Sequence, residues 1–377
     1  MSALSRIEIK GYKSIERLDL ELTSTNVLIG SNGAGKSNFV SFFRMLNEMI
    51  EGRFQLHVQK GGRADSLLYY GSKVTESIEA ELYFRANGYI FKLTPTEDGR
   101  LVFEKEQTFF DGDYGPSTQQ IGSGNEEAQL PTEYRSLLKR DAWRPARYVY
   151  PSVESWRVYH FHDTSANAAI KQEHDLHDNE QLRGNAGNLA AYLYLLREKH
   201  NPNYELIRAA VRRIFPRFGD FALRPNPLNE ERIRLEWREE GSDYLFGPHQ
   251  LSDGTIRFMA LATLLLQPRL PSTVVIDEPE LGLHPAALAV LAGLVKSASA
   301  RGQLILTTQS VTLLNEFEPD DVVVVERSEN DPSASGQEVG RSPSTFRRVE
   351  SSEDLDAWLE EYAVGSLWEM NVLGGRP

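Results

Sequence analysis

Residues 30–37 read Gly-Ser-Asn-Gly-Ala-Gly-Lys-Ser and match the phosphate-binding pattern G-x-x-x-x-G-K-[ST]. Glycines in such a loop let consecutive backbone N–H groups point inward and surround phosphate oxygens. Lys36 would place a positive charge on the β- and γ-phosphates, and the Ser37 hydroxyl would bind Mg²⁺. The residues predicted to touch the nucleotide are Asn32, Gly33, Ala34, Gly35, Lys36, Ser37 and Asn38. The motif predicts a site for a nucleoside triphosphate.

Far downstream, a short apolar run ends in two carboxylates, Asp277 and Glu278. Residues 274–276 have the composition of a buried strand, so both acids follow directly at its end. Asp277 is placed to support Mg²⁺, and Glu278 to polarise the water that attacks the γ-phosphate, the role of a general base. The alternative for Glu278 is a solvent-facing side chain at a strand end. Together with the phosphate loop, this pair predicts phosphoryl transfer to water.

Between these sites, residues 251–255 read Leu-Ser-Asp-Gly-Thr. The segment resembles the LSGGQ signature of ABC-type ATPases, with Asp253 and Thr255 as the departures. In that superfamily the signature of one subunit binds the γ-phosphate held by the phosphate loop of another. The resemblance implies that Ser252, Asp253 and Gly254 contact the partner's ATP, which would be held between two copies of the chain. The alternative for Ser252 is an ordinary N-cap of the following helix.

Segments after the acidic strand extend this resemblance. Residues 279–285 are similar to the D-loop that touches the opposite head in ABC-type dimers. For His284, a place at the dimer seam and a cap on the helix predicted over 285–296 are both open. After a buried strand at 303–306, Gln309 stands where many ABC-type heads carry a switch histidine. Glutamine can donate a hydrogen bond to the γ-phosphate but carries no charge, so hydrolysis is expected to be slower or differently gated.

The elements that must position these residues can be read from the apolar spacing. Residues 25–29 are a short apolar run typical of a strand, and residues 38–46 follow with helical spacing. The phosphate loop therefore lies at a helix N-terminus, where the helix dipole favours anions. We predict an α/β fold of the P-loop NTPase class with a mixed sheet and helices.

The N-terminus narrows the resemblance to one branch. Residues 4–15 read as an alternating strand, a glycine-aromatic corner and the basic residue Lys13. This resembles the opening of RecF, structural-maintenance-of-chromosomes and overcoming-lysogenization-defect proteins, which implies that Lys13 reaches toward the nucleotide phosphates. The chain resembles a RecF-like, ABC-type AAA family ATPase, as found in bacteria and their anti-phage loci. Strings at 159–164 and 358–377 support the resemblance without assigned roles.

Composition limits the other functional classes. The chain has 377 residues with 41 basic and 54 acidic side chains, for a net charge of −13. This balance argues against a protein-wide DNA-binding surface, although a local basic stripe stays open. The absence of cysteine excludes disulfides, thiolate metal sites and cysteine nucleophiles. Without a membrane-spanning apolar run or a signal sequence, the protein is expected to be cytoplasmic.

The long stretch between phosphate loop and signature lacks the sustained heptads of a coiled coil. Alternating patterns in its first part predict paired strands, and a Gly-, Ser- and Gln-rich segment predicts a mobile loop. The strands are predicted at 77–84, 89–93 and 100–110, and the loop at 111–129. Further on we predict helices over 188–200 and 203–215, then a strand at 232–238.

These patterns predict an ABC/RecF-like head with an inserted β-rich and helical lobe and no coiled coil. The predicted domains are the N-terminal part of the ATPase core at 1–50, a β-rich subdomain at 51–135, a helical lobe at 136–240, the C-terminal part of the core at 241–330, and a tail at 331–377.

Clustered side chains in the insert leave alternatives open. A histidine cluster either holds a transition metal or belongs to a polar loop, since its spacing matches no standard ligand set. Its members are His160, His162, His174 and His177. Residues 160–163 are also expected where ABC-type heads carry a Q-loop, although no glutamine fills that role. An arginine cluster binds DNA or an acidic partner, or is a solvated helix face, which we prefer. Its members are Arg208, Arg212, Arg213 and Arg217.

The tail is expected to carry an amphipathic helix with Trp358 and Trp368, which packs on the core or holds a partner. Overcoming-lysogenization-type nucleases append a nuclease domain after the head, and the tail is too short for one. The resemblance therefore implies that any nuclease, commonly a TOPRIM-like protein, is a separate effector.

We predict an ATPase that uses ATP and Mg²⁺, forms a homodimer or a larger homo-oligomer around nucleotide, and controls an effector in anti-phage defence. The alternative is a DNA-repair ATPase that binds DNA when ATP is present. A transporter subunit is disfavoured by the RecF-like N-terminus. A scaffold that binds ATP without hydrolysis is left open by Gln309.

Overall fold

The computed structural model describes residues 3–112, 115–140, 142, 144–327 and 341–376. The strands are β1 Arg6–Tyr12, β2 Ile15–Glu21, β3 Thr25–Ile29, β4 Ile78–Phe84, β5 Asn87–Pro95, β6 Leu101–Gly112, β7 Gly115–Gly122, β8 Arg157–Tyr159, β9 His174–Asp175, β10 Phe218–Phe221, β11 Pro225–Asn226, β12 Asn229–Ile233, β13 Trp237–Glu239, β14 Thr273–Asp277, β15 Gln303–Thr307, β16 Val322–Arg327 and β17 Ser344–Arg348.

The α-helices are α1 Lys36–Ile50, α2 Phe54–Lys60, α3 Arg63–Leu67, α4 Leu130–Arg140, α5 Ala146–Glu154, α6 Leu189–Lys199, α7 Asn201–Ile214, α8 Asp253–Leu266, α9 Pro285–Ser299, α10 Val311–Leu314, α11 Glu353–Leu359 and α12 Val364–Glu369. Short 3₁₀ turns lie at Ala169–Lys171, Pro248–Gln250 and Pro319–Asp321. Within the described residues, no helix combines the length and apolar character needed to cross a membrane.

The central sheet has the order β17-β16-β3-β15-β14-β8 among the described strands. All neighbours are parallel except β17, which pairs antiparallel with β16. Every residue of β3, β14 and β15 is buried, as expected for a parallel sheet covered on both faces. The carboxyl ends of parallel strands meet at one edge, so the segments that follow β3, β15, β14 and β8 lie together there.

The faces of this sheet pack into different hydrophobic cores. Val27 and Val274 belong to the core that also contains α8 and α9. Leu28 and Val275, one residue further along each strand, belong to the core that contains α1 and the antiparallel sheet described next. This alternation follows from the two-residue period of a strand, and it fixes α1 and α8 on opposite faces of the central sheet.

A second sheet is antiparallel throughout, in the order β2-β1-β4-β5-β6-β7 for the strands the structure describes. It confirms the predicted alternating strands, with β4 and β5 joined by a tight hairpin at Arg85 and Ala86. β1 and β2 belong to the predicted segment 1–50, and the other four strands of this sheet belong to the predicted subdomain 51–135. The sheet therefore extends across the predicted boundary between them. The domain boundaries themselves stay a prediction.

The predicted mobile loop at 111–129 is wrong where the chain forms β7. Residues of β7 pair with β6, and Gln107 Nε2 donates to Gln120 Oε1 at 2.7 Å across the pair. A polar sequence suits an edge strand, because one face and one side remain in water. Asp113 and Tyr114 of the predicted loop, and residues 331–340 of the predicted tail, lie outside the described residues.

In the helical lobe, α6 and α7 follow the predicted helices closely. Pro202, which suggested a break between them, lies instead in the first turn of α7, where the missing N–H has no helical partner. The strand predicted at 232–238 is divided between β12 and β13, which lie in different small sheets. The predicted tail helix is likewise divided between α11 and α12, with Trp358 44% exposed and Trp368 8% exposed.

Arg257 on α8 ties together the segments that surround the central sheet edge. Its side chain is buried, and Nε donates to Phe161 O at 2.8 Å while the other guanidinium nitrogens donate to His162 O at 3.1 Å and to Leu281 O. Phe161 and His162 follow β8, and Leu281 follows β14. One guanidinium therefore fixes the start of α8 against two loops, since its five N–H donors spread over a plane wide enough to reach three separate carbonyls.

Replacement of Arg257 by Met is expected to lower the free energy of unfolding by about 3 kcal/mol, because buried carbonyls lose charged hydrogen-bond donors. Thermal and chemical denaturation would measure the loss. Arg213→Met, on the exposed side of α7, is the control and should change stability little. Equal stability of the two variants would show that the three carbonyl contacts of Arg257 contribute nothing measurable.

Candidate active site

The phosphate loop connects β3 to α1, and α1 begins at Lys36, two residues before the predicted helix. Gly30 has a φ of 153°, and a Cβ there would lie 2.1 Å from Val325 O. Gly35 has a φ of 121°, and a Cβ there would lie 2.2 Å from Ser344 Oγ. Both contacts are too short for any side chain, so the glycines of the motif are required by the backbone and its neighbours.

The Lys36 side chain folds back over its own loop. Nζ donates to Gly30 O at 2.5 Å and to Ser31 O at 3.1 Å. Burial lowers the pKa of Lys36, while the nearby charges of Glu278, Glu280 and Asp277 act in the opposite direction. The amine therefore lies between the phosphate loop and the acidic strand end, as a phosphate-binding lysine requires.

The outer side of the loop is supported by serine hydroxyls that the sequence patterns did not indicate. Ser344 Oγ donates to Ala34 O at 2.5 Å and lies 2.8 Å from Ser14 Oγ. Asn38 Nδ2 donates to the same Ser14 Oγ at 2.7 Å. Ser344 is far from the loop in sequence and belongs to β17, so only the pairing of β17 with β16 could have revealed it.

Lys13 and Asn38 line one side of a pocket beside α1. Lys13 has a left-handed backbone with φ 48°, and Nζ donates to Ser41 Oγ on α1 at 2.9 Å. Its contact with nucleotide phosphates stays a prediction. Ser37 is exposed at the start of α1, so its hydroxyl is accessible to a bound ion.

Asp277 is held at the end of β14 by contacts from neighbouring strand ends. Thr307 Oγ1 donates to Asp277 Oδ1 at 2.6 Å, and His160 Nδ1 lies 3.6 Å from Oδ2. His162 Nε2 lies 2.9 Å from the backbone oxygen of Asp277. Burial alone would raise the pKa of Asp277, but the nearby His160 ring and the hydrogen bond from Thr307 outweigh it, and the pKa lies below its usual value. The carboxylate is therefore ionised and oriented, with Oδ2 facing His160.

Glu278 adopts a backbone conformation that is rare for a residue with a side chain. Its φ is 45°, and its N–H donates both to Thr307 O and to Thr307 Oγ1 at 3.1 Å. Such strain persists when the surrounding structure imposes it, and it is concentrated at functional sites. Gln309 Nε2 donates to Glu278 Oε1 at 2.9 Å and to Asn32 Oδ1 at 2.8 Å. The switch residue thus joins the acidic strand end to the phosphate loop.

Glu280 is a site residue that the sequence analysis did not assign. Its Oε1 accepts hydrogen bonds from Thr308 Oγ1 at 2.7 Å and from the Gln309 N–H at 2.9 Å. Burial raises the pKa of Glu280. The sequence signal that could have revealed it is the presence of a third acid two residues after the Asp277-Glu278 pair. Its contacts fix the backbone of Gln309, and through it the position of the switch amide.

The signature segment leads directly into α8, which begins at Asp253. Ser252 Oγ accepts from the Thr255 N–H at 3.1 Å and serves as the N-cap. Asp253, which replaces a glycine of the family pattern, lies 3.4 Å from Lys171 Nζ. A Cβ on Gly254 would lie 2.2 Å from Gly282 O, so a glycine is required where α8 meets the D-loop segment. The N-cap interpretation is confirmed, and contact with a partner's nucleotide stays a prediction.

His284 is the N-cap of α9. Its Nδ1 accepts from the Ala286 N–H at 3.2 Å, which confirms the helix-cap interpretation. A role at a dimer seam stays a prediction, because a side chain that caps a helix can also be exposed to a partner.

The histidine cluster does not form a metal site of its own. In the chain segments that the structure describes, no group of three or more His, Cys, Asp or Glu side chains could hold an ion. The rings of His160 and His162 lie beside Asp277 with centroids 3.7 Å apart and planes tilted by 43°, whereas His174 Nε2 lies 2.8 Å from Ala169 O. Of the two interpretations of this cluster, the described residues therefore give no support to a transition-metal site built from the four histidines. The expected position of residues 160–163 near the nucleotide site agrees with their contact to Asp277.

The arginine cluster is partly neutralised by acidic neighbours. Arg208 lies 2.8 Å from Glu205, and Arg212 lies 2.7 Å from Glu240. Arg212 Nε also donates to Phe218 O at 3.0 Å. These contacts favour a solvated, ion-paired helix face over a phosphate-binding stripe.

The donors at this sheet edge fit a magnesium-bound nucleotide. Ser37 offers a hydroxyl and Asp277 a carboxylate, the hard oxygen ligands that Mg²⁺ prefers. The loop at 30–37 presents backbone N–H groups at the start of α1, which suits phosphate oxygens. With a nucleotide bound there, Lys36 would be placed to stabilise phosphate charge and Glu278 to orient a water.

Comparisons with known proteins agree with this geometry. Two solved structural-maintenance-of-chromosomes heads share the fold, each with a TM-score of 0.54. The first, bound to the C-winged helix domain of ScpA, is 18% identical, and the match covers 94% of this chain and 99% of that one. The second, a Pyrococcus furiosus head with an extended coiled coil bound to the C-terminal domain of ScpA, is 16% identical, and the match covers 96% of this chain and 99% of that one.

A Pyrococcus yayanosii head with a coiled coil and joint has a TM-score of 0.51, with 13% identity over 96% of this chain and 99% of that one. These likenesses confirm the predicted head fold, and the described residues contain no coiled coil. No curated protein sequence matches. A family model described as "AAA domain, putative AbiEii toxin, Type IV TA system" matches residues 25–315, the span from β3 through α10 that contains the phosphate loop, signature and acidic strand. The chain therefore belongs to this AAA family of P-loop ATPases.

Proposed function

We propose that the protein binds ATP with Mg²⁺ and hydrolyses it. One observation carries this proposal: the side-chain amide of Gln309 donates hydrogen bonds to Asn32 in the phosphate loop and to Glu278 at the acidic strand end. Three segments that are far apart in the sequence therefore meet at this point. An acid held in a strained backbone beside a phosphate loop has the position of a group that orients water for attack on a γ-phosphate.

The roles follow from the contacts of each side chain. Lys36 Nζ, now bonded to Gly30 O and Ser31 O, would transfer its hydrogen bonds to phosphate oxygens. Mg²⁺, held by Ser37 and Asp277, would neutralise charge on those oxygens. Gln309 would donate to the γ-phosphate and keep Glu278 aligned with the attacking water. Since its carboxamide stays neutral, it stabilises developing negative charge less than a cationic histidine would, and turnover is expected to be slow.

A pocket of about 400 Å³ beside Asn38 offers space for the nucleoside. Tyr70, with 49% of its surface exposed, provides aromatic surface at this pocket. Arg327 lines it too, and its Nε donates to Gly33 O at 3.0 Å. A pocket of this size next to the phosphate loop supports a nucleotide ligand rather than a free phosphate.

We further propose that two copies hold ATP between them. Ser252 and Asp253 are exposed at the N-terminus of α8, and Leu281 of the D-loop segment is 39% exposed. A helix N-terminus with a serine is an anion site, and a symmetric dimer would present it to the partner's γ-phosphate. Association driven by nucleotide would make the ATPase cycle a switch between separate and joined heads.

The proposed role of this switch is control of a separate effector protein in anti-phage defence, with a nuclease as the effector class. The basis is the family resemblance, together with related heads solved in complex with ScpA domains. The alternative, an ATP-dependent DNA-binding repair ATPase, gains no support from the arginine cluster, because Arg208 and Arg212 are paired with acids.

Lys36→Ala is expected to weaken ATP binding by at least about 100-fold, or about 3 kcal/mol, because the main positive charge of the phosphate site is lost. Titration with a fluorescent ATP analogue would measure it. Lys199→Ala, exposed at the end of α6, is the matched control. Affinity equal to wild type in Lys36→Ala would refute the assigned phosphate site.

Glu278→Gln is expected to bind ATP, fail to hydrolyse it and accumulate as a dimer, because the amide cannot act as a base while the phosphate site is intact. Mass-resolved size-exclusion with Mg·ATP would detect the dimer, and phosphate release would report turnover. Glu318→Gln, an exposed acid, should behave as wild type. Unchanged turnover in Glu278→Gln would contradict the proposed role of Glu278 in orienting the attacking water.

A further inference from the structure

We propose that the imidazole of His160 is a direct ligand of the divalent cation that accompanies the nucleotide, so that this metal position combines oxygen donors with one nitrogen donor. The inference rests on the proposed function and specifies its metal site. The sequence offered His160 only as one of four histidines of a separate transition-metal site, not as a ligand of the ion that accompanies the nucleotide.

The distances at Asp277 indicate where the ion would lie. Thr307 Oγ1 donates a hydrogen bond to Asp277 Oδ1 at 2.6 Å, so Asp277 Oδ2 is the carboxylate oxygen available to a metal. His160 Nδ1 lies 3.6 Å from that oxygen. Adjacent ligands of an octahedral ion with bonds of about 2.1 Å are separated by about 3 Å. A small rotation of the exposed His160 ring therefore brings both atoms to one ion.

Neighbouring contacts hold His160 in this place before any ion binds. Its backbone N–H donates to Gly184 O at 2.8 Å, and its ring packs against that of His162 with centroids 3.7 Å apart. His162 in turn is fixed by its contact to the Asp277 backbone oxygen, and Arg257 holds the carbonyl of His162. A ligand supported by such surrounding bonds loses little entropy when it binds.

His160 rather than His162 is the ligand, because the two rings differ in what they already contact. His162 Nε2 lies 2.9 Å from the Asp277 carbonyl oxygen, so that ring nitrogen is already engaged with the backbone. The His160 side chain is 44% exposed and faces the carboxylate. Within the described residues no three protein groups form a complete site, so nucleotide phosphates and water must fill the other positions.

The nitrogen donor changes which ions the site favours. Mg²⁺ prefers an all-oxygen shell, whereas imidazole binds first-row transition ions, with affinity rising from Mn²⁺ to Co²⁺ and Ni²⁺. We expect ATP to be bound with Mn²⁺ or Co²⁺ at lower metal concentration than with Mg²⁺. His160→Ala should lose this preference, since only oxygen donors remain.

Pulsed EPR of bound Mn²⁺ with a non-hydrolysable ATP analogue tests the ligand directly. Wild type and the control His177→Ala, an exposed histidine of the same segment, should show nitrogen modulation from a bound imidazole. His160→Ala and His160→Gln should lose it, and His160→Gln, which offers an amide oxygen, keeps the test valid if the alanine variant is unstable. His160→Ala should also need about tenfold more Mn²⁺ for half-maximal nucleotide binding.

The outcomes separate this inference from the proposed function. Mn²⁺·nucleotide bound by wild type without nitrogen modulation, or with modulation retained in both His160 variants, overturns the ligand role of His160 alone. ATP binding in EDTA reports the phosphate loop independently of the metal. If wild type binds no ATP with or without metal, the proposed function is contradicted and the inference falls with it.

Discussion

Gln309 joins the phosphate loop to the acidic strand end through hydrogen bonds of 2.8 Å to Asn32 and 2.9 Å to Glu278. Everything that the site can do depends on this contact, because the residues involved lie in separate segments. The link exists only because β3, β15 and β14 are adjacent and parallel, so that their carboxyl ends open onto one edge. In the proposed mechanism this one neutral side chain would donate to the γ-phosphate and also restrain Glu278.

A second layer of contacts keeps that link in place. Glu280 fixes the backbone N–H of Gln309, and Thr307 bonds both Asp277 and the N–H of Glu278. Arg257 connects α8 with the segments after β8 and β14. A change at the start of α8 would therefore be transmitted to the acidic strand end through short, buried bonds. This gives a physical route by which a partner bound at the signature could alter the site.

The sequence was most informative for those parts of the site whose residues are close together in the chain. The phosphate loop and the Asp277-Glu278 pair each lie within a few residues, and their strands and helices could be predicted from apolar spacing. Ser344 and Glu280 could not be assigned, and His160 was grouped with the wrong partners, because the contacts of these residues depend on which distant strands become neighbours. The polar segment at β7 was misread for a related reason: its stability comes from pairing with β6, and composition alone does not reveal a partner strand.

The central claim is that each site is completed by the signature of a second copy. The most direct test mixes Lys36→Ala, which lacks a working phosphate loop, with Ser252→Arg, which lacks a working signature, and measures phosphate release. Each variant alone should be inactive. The mixture should recover activity, because a mixed dimer contains one site with an intact loop facing an intact signature. An inactive mixture, or full activity of Ser252→Arg alone, would contradict the account.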